Sequence, residues 1–130
     1  MAKKKVKTPN HKSYLKRAKD LFMPQFRGKP CEVCGTNQGT CGHHVVSQAR
    51  SKSLRFDERN IIVLCAKHHT MGNELAPHAS NQMAVERFIE WFKENKPEQH
   101  AWIEENERIE RRYTYKDAVE NMKAGRKAWE

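Results

Sequence analysis

Two tight pairs of metal-ligating side chains constrain this chain more than any other feature. Cys31 and Cys34 stand as C-x2-C, and Cys65 and His68 as C-x2-H, with thirty residues between the pairs. Four soft or borderline donors in two such pairs are what a tetrahedral zinc ion requires. Each pair grips the ion from one short turn, so the loop between them closes like a clasp. Gly35 permits the tight turn after the first pair. A zinc clasp has no use for His43, His44 and Asn60 inside the loop, nor for His69 and Asn73 just beyond it. Those residues ask for a second explanation.

The rest of the composition suits a small domain that needs a metal. At 130 residues, with 37% hydrophobic and 32% charged residues, the chain can build only a modest core. A structural zinc supplies the missing stability. No apolar run is long enough for a membrane helix or a signal peptide. Four cysteines without a secretory signal read as metal ligands or free thiols of a cytoplasmic protein rather than as disulfides. A formal charge of +9 and a pI near 9.6 point to a polyanionic partner, nucleic acid being the commonest.

Along the chain, residues 1–30 form a basic arm and a helix. Ten basic residues and one acid, Asp20, lie between Lys3 and Lys29. Lys3, Lys4 and Lys5 belong to the arm, which is either a solvated tail or a grip on phosphate. Ser13 can cap a helix with Tyr14, Leu15, Ala18, Leu21 and Phe22 on one stripe, ending at Pro24. Lys12, Lys16, Arg17 and Lys19 fall largely off that stripe. Residues 31–76 hold the clasp, with strands expected over Thr40 to Val46 and Ile61 to Leu64 and a helix from Ala66 to about Asn73. The long loop from Ser47 to Arg59 carries Arg50, Lys52 and Arg55. Lys12, Lys16, Arg17, Arg50, Lys52 and Arg55 join the arm lysines as candidate phosphate contacts.

Residues 77–130 have a helical pattern. Asn81 can cap a helix burying Val85, Phe88, Ile89 and Phe92, and Pro97 can open a second carrying Trp102, Ile103 and Ile109. Thr114 and Asp117 form a capping box for a last helix through Lys127. The aromatic stripe suits a core or a homodimer surface. The whole reads as one compact α+β domain.

The polar residues of the clasp fit phosphodiester hydrolysis, which needs a base for water and a cation for the phosphate. His44 can be the base, because imidazole titrates near neutral pH. Asn60 can bond across the hairpin and hold the loop that presents His44. His69 and Asn73 share a helix face and, with His43, can hold a divalent ion. Adjacent His68 and His69 point in different directions, so two ions need not collide. Each residue has a plainer role as well. His43 and His44 point to opposite faces of a straight strand, and only a bend, eased by Gly42, brings both to one site. Asn60 can be a turn residue and Asn73 a helix cap. Cys41 is either an alternative zinc ligand or a free thiol. His11, His78 and His100 have no partner in the sequence and are expected on the solvated surface.

In this order, H-H, R-N-I-I-V-L-C and C-A-K-H-H resemble the HNH signature of the ββα-metal endonucleases, embedded in a zinc knuckle. More narrowly, S-Y-L-K-R-A-K, C-E-V-C-G, G-H-H, L-R-F, G-N-E-L and Y-T-Y-K-D-A resemble the phage NinG family, the Rap recombination endonucleases. The resemblance implies a zinc-stapled ββα-metal core flanked by helices. It implies His44 as general base, Asn60 as the middle residue of the signature, and His43 with His69 or Asn73 as ligands of a catalytic Mg²⁺ or Mn²⁺. It further implies a phage or prophage enzyme that cuts branched DNA during recombination. Another HNH nicking or packaging-associated nuclease, or a non-catalytic zinc module that binds DNA, are the alternatives.

Overall fold

A four-residue strand with both faces covered organises the molecule. The computed structural model describes residues 11–72 and 74–130. Strand β1 (Cys41–His44) pairs antiparallel with β2 (Ile61–Leu64) in the register Cys41↔Leu64, Gly42↔Val63, His43↔Ile62 and His44↔Ile61. Every residue of β2 is buried. Side chains alternate across a strand, so Ile61 and Val63 face one way and Ile62 and Leu64 the other. The expected hairpin is present, with β2 at its expected bounds and β1 shorter than Thr40 to Val46.

Each face has its own core. On the Ile61 side lie Ala18, Phe22, Phe26, Phe56, Ala118, Val119 and Ala128. Here α1 (His11–Phe22) packs on α4 (Tyr115–Lys123), so helices from opposite ends of the described chain share one core. On the Ile62 side lie Val46, Leu54, Phe88, Phe92 and Ile103, with Cys31 and Cys65 at the edge. This core is roofed by α2 (Gln82–Asn95) and α3 (Pro97–Asn106). The architecture is α+β, a two-stranded sheet between helical layers.

Several element ends differ from the sequence pattern. The chain is already helical at His11, so Ser13 sits inside α1 rather than capping it. Leu21 is 42% exposed although its neighbour Phe22 is buried. A 3-10 turn, Met23–Phe26, follows α1 and contains Pro24, whose ring is tolerated at a helical start. In place of a full helix after β2 there is one π-helical turn, Lys67–Met71. It stops at Gly72, where a side chain would meet the Lys67 carbonyl at 2.1 Å.

Asn81 caps α2, its side chain accepting from Met83 N, and Phe88 and Phe92 turn inward while Ile89 remains 49% exposed. α3 ends at Asn106, which leaves Ile109 beyond it and 52% exposed. The Thr114–Asp117 capping box opens α4. α4 closes at Lys123 because Gly125 takes φ +77° and Arg126 N returns to Asn121 O at 2.8 Å. Among the described residues, no helix is long and apolar enough to cross a membrane.

Candidate metal centres and the histidine-lined cavity

The clasp residues meet as their spacing requires. The ligand atoms of Cys31, Cys34, Cys65 and His68 all lie within 4.8 Å of one another. Cys34 Sγ is 3.7 Å from Cys65 Sγ, and His68 Nδ1 is 3.3 Å from Cys65 Sγ and 3.9 Å from Cys31 Sγ. Zn–S and Zn–N bonds of about 2.3 and 2.0 Å at a tetrahedral angle place ligand atoms roughly 3.5–3.8 Å apart. The four side chains therefore fit a structural zinc. The turn that presents the first pair is held by Cys31 N→Thr36 O and Gly35 N→Cys31 O, both 2.8 Å, with Gly35 at φ +81°. Burial pushes the Cys31 thiol up, but backbone N–H groups of Cys34, Cys65 and Val33 outweigh it and hold it below its ordinary value. Burial keeps the Cys65 thiol above its ordinary value. Cys41 stands apart from this group, its Sγ 3.7 Å from His69 Nδ1.

A second group forms on the Ile62 side of the sheet. The ligand atoms of His43, His69 and His78 also lie within 4.8 Å of one another. The rings stand edge to face, with centroids 5.1 Å apart for His43 and His69, 4.6 Å for His43 and His78, and 4.9 Å for His69 and His78. His43 lies opposite Ile62 in the register, so it projects towards α2, with its ring 6.0 Å from Phe88. Burial, followed by the neighbouring His69 and His78, lowers its pKa to about 3. Burial also lowers His69. Both rings are thus neutral, with lone pairs available to a cation.

His78 is exposed, as its isolation in sequence suggests, but it is not without partners. The chain doubles back after the π turn, and His78 N donates to His69 O at 2.9 Å, which carries the ring to the cluster. Nothing in the nine-residue spacing signals this return. His100, by contrast, is half-buried, with its ring 6.0 Å from Phe92 and Nε2 3.4 Å from Glu104. The His11 side chain, Asn73 and the arm lysines Lys3, Lys4 and Lys5 lie outside the described residues. Among the described residues no carboxylate belongs to the His43 group.

His44 takes the opposite face of β1, as a straight strand requires, with its ring 6.5 Å from Phe22. Its Nε2 donates to the Arg55 carbonyl at 2.8 Å. A carbonyl can only accept, so the neutral ring carries its proton on Nε2 and its lone pair on Nδ1. Burial lowers the His44 pKa most; the Arg55 carbonyl opposes this, and the Arg55 and Lys19 charges add to the lowering. Although His43 and His44 diverge, one open cavity of about 340 Å³ reaches both, along with His69, His78 and Lys19. Gly42 lines it without breaking the regular pairing. A Cβ there would come within 2.9 Å of Phe26 and 3.0 Å of Ile61. The glycine is needed for close packing rather than for a bend.

Asn60 is fully buried. Its Oδ1 accepts from Val46 N at 2.8 Å, and its Nδ2 donates to Val46 O at 3.0 Å and Leu54 O at 3.3 Å. It therefore ties the end of β1 to the loop containing Arg55, whose carbonyl holds His44.

The candidate phosphate contacts differ in their freedom. Lys12 and Lys52 are exposed. Lys16 pairs with Asp20 at 2.8 Å, Arg17 lies over Tyr14, and Arg50 pairs with Glu107 at 3.2 Å. Arg55 is engaged by Tyr115 Oη and the Gln48 carbonyl. Among the described residues lining the cavity, Lys19 is the one lysine or arginine, and no spacing in the sequence brings it to His44. No protein-family model, curated protein or solved structure matches the chain.

Proposed function

We propose that this protein is a metal-dependent DNA endonuclease of the HNH type, acting on branched recombination intermediates. The His44 hydrogen bond to the Arg55 carbonyl carries the reading. It orients a neutral imidazole whose Nδ1 keeps the lone pair a base needs, and His44 lines a cavity shared with His43, His69, His78 and Lys19. A backbone carbonyl does here what a carboxylate does for other catalytic histidines, fixing tautomer and orientation. His44 Nδ1 accepts a proton from water as the water oxygen bonds to phosphorus, and the bond from phosphorus to the departing sugar oxygen breaks. That oxygen takes a proton from solvent. Lys19 attracts the phosphate to the cavity mouth, and Asn60 holds the loop in register. A divalent cation held by His43 and His69 would supply charge stabilisation on the phosphate. The zinc clasp is structural. The surplus of positive charge, +9 over the chain, suits the polyanion.

The test is cleavage of four-way junction, flap and linear duplex DNA by zinc-loaded protein, with His44→Ala alongside. His44→Ala should lose about 10² to 10⁴ in rate while keeping fold, zinc and DNA affinity. Protein that binds these DNAs but cuts none of them would be a non-catalytic zinc module. Equal cutting by His44→Ala would remove His44 from the mechanism.

A further inference from the structure

The donor set of the second cluster does not suit the ion that the nuclease signature suggests. Mg²⁺ takes oxygen ligands and keeps much of its water, whereas imidazole nitrogens favour Zn²⁺ and its transition-metal neighbours. His43, His69 and His78 bring three imidazoles within 4.8 Å of one another, and no carboxylate joins them among the described residues. Three independent features build this arrangement. The register of β1 sends His43 inward, the π turn presents His69, and the bond from His78 N to His69 O returns a third ring from a separate segment. The 3.7 Å approach of Cys41 Sγ to His69 Nδ1 further restrains the His69 ring.

We propose that His43, His69 and His78 form a three-imidazole site for a borderline transition ion, Zn²⁺ or a neighbour such as Co²⁺ or Ni²⁺, in preference to Mg²⁺. His78 is a ligand in this site. Three protein donors leave coordination positions open to water or phosphate, as catalytic zinc sites do. The chain then carries two transition-metal sites of different character, a sulfur-rich clasp and an all-nitrogen site facing the cavity. Ion binding here stands without the nuclease reading, and only its part in turnover rests on that reading.

Full-length protein dialysed without chelator, so that the clasp keeps its zinc, is titrated with Co²⁺ and followed by visible absorption and metal analysis. Co²⁺ should bind as one further equivalent, with ligand-field bands and no sulfur-to-cobalt charge transfer. A large excess of Mg²⁺ should not displace it. Loss of an outer-shell partner weakens metal sites by about 10- to 100-fold, so His78→Ala should weaken this one by at least about 100-fold. His78→Ala should still hold the clasp zinc and an unchanged circular dichroism spectrum, because His78 is exposed and outside both cores. His69→Ala should behave like His78→Ala and guards against a fold effect confined to one variant. The proposal is overturned if no second equivalent binds, if His78→Ala binds Co²⁺ as tightly as the parent, or if Mg²⁺ competes at equal concentration. If Co²⁺ binds as described and no DNA is cut with any ion, the metal site stands and the nuclease reading fails.

Discussion

At the scale of single residues, the buried amide of Asn60 shows why one polar side chain can be worth keeping in a core. It is fully buried, and both its oxygen and its nitrogen are satisfied. Asn60→Ala would leave the Val46 N–H without that acceptor, at a cost of about 1–3 kcal/mol. The expected result is a lower melting temperature and faster hydrogen exchange at Val46, with the clasp zinc retained. Unchanged exchange at Val46 would show that the side chain is not what holds this corner. The chemistry of Asn60 was legible in the sequence as a link across the hairpin. The role of His78 was not, because it depends on a backbone bond between residues nine apart that no periodicity encodes.

At the scale of elements, the zinc clasp and β2 are one unit. Glu32 N donates to Val63 O at 2.9 Å, and Val63 N donates to Glu32 Oε2 at 2.6 Å, so the first knuckle is bonded to the outer side of β2. Cys65 follows β2 directly. A strand pair this short is marginal without support on its flanks. Removing zinc, or Cys31→Ser, should therefore strip hydrogen-exchange protection from Glu32, Val63 and the β1–β2 amides, while α1 and α4 lose less. Zinc-free protein with protection intact over residues 31–65 would show that the sheet stands without the metal. The strand pair and the four helices were largely visible in the hydrophobic pattern. The single π turn was not, since the close approach of the Lys67 carbonyl, which leaves no room for a side chain at Gly72, is a matter of packing.

At the scale of the whole molecule, Asp57 ties the long loop to the carboxy-terminal segments. It is fully buried and accepts from Arg59 at 2.8 and 2.9 Å and from Arg111 at 2.6 Å. The Arg59 guanidinium lies 4.1 Å from the centre of a Trp102 ring and 4.6 Å from that of Trp129. Burial pushes the Asp57 carboxyl up, but the bonds from Arg59 and Arg111 outweigh it and hold it below the usual range. With its folded value depressed, its contribution is complete above the unfolded pKa of about 3.9 and disappears as pH falls through the folded value. Asp57→Asn should thus cost about 3 kcal/mol near neutral pH, as loss of one partner of a buried ion pair does. Urea unfolding should show the gap between the two proteins constant above about pH 4 and shrinking below it. A gap that does not change with pH would mean that the carboxylate charge is not what the arginines hold.

The sequence by itself determined whatever depends on spacing along the chain. The two ligand pairs specify the clasp because a turn of two intervening residues leaves two donors within reach of one ion. The alternation of β1 and the stripes of the helices specify most of the side chains that turn inward, Leu21 and Ile89 being exceptions. Only the tertiary structure decided which distant residues meet. It joined His78 to His43 and His69, drew Lys19 to the cavity of His44, and committed Arg55 and Arg111 to internal partners. Those meetings depend on how the loops return to the sheet, and loop return is governed by backbone bonds and packing volume that carry no period in the sequence.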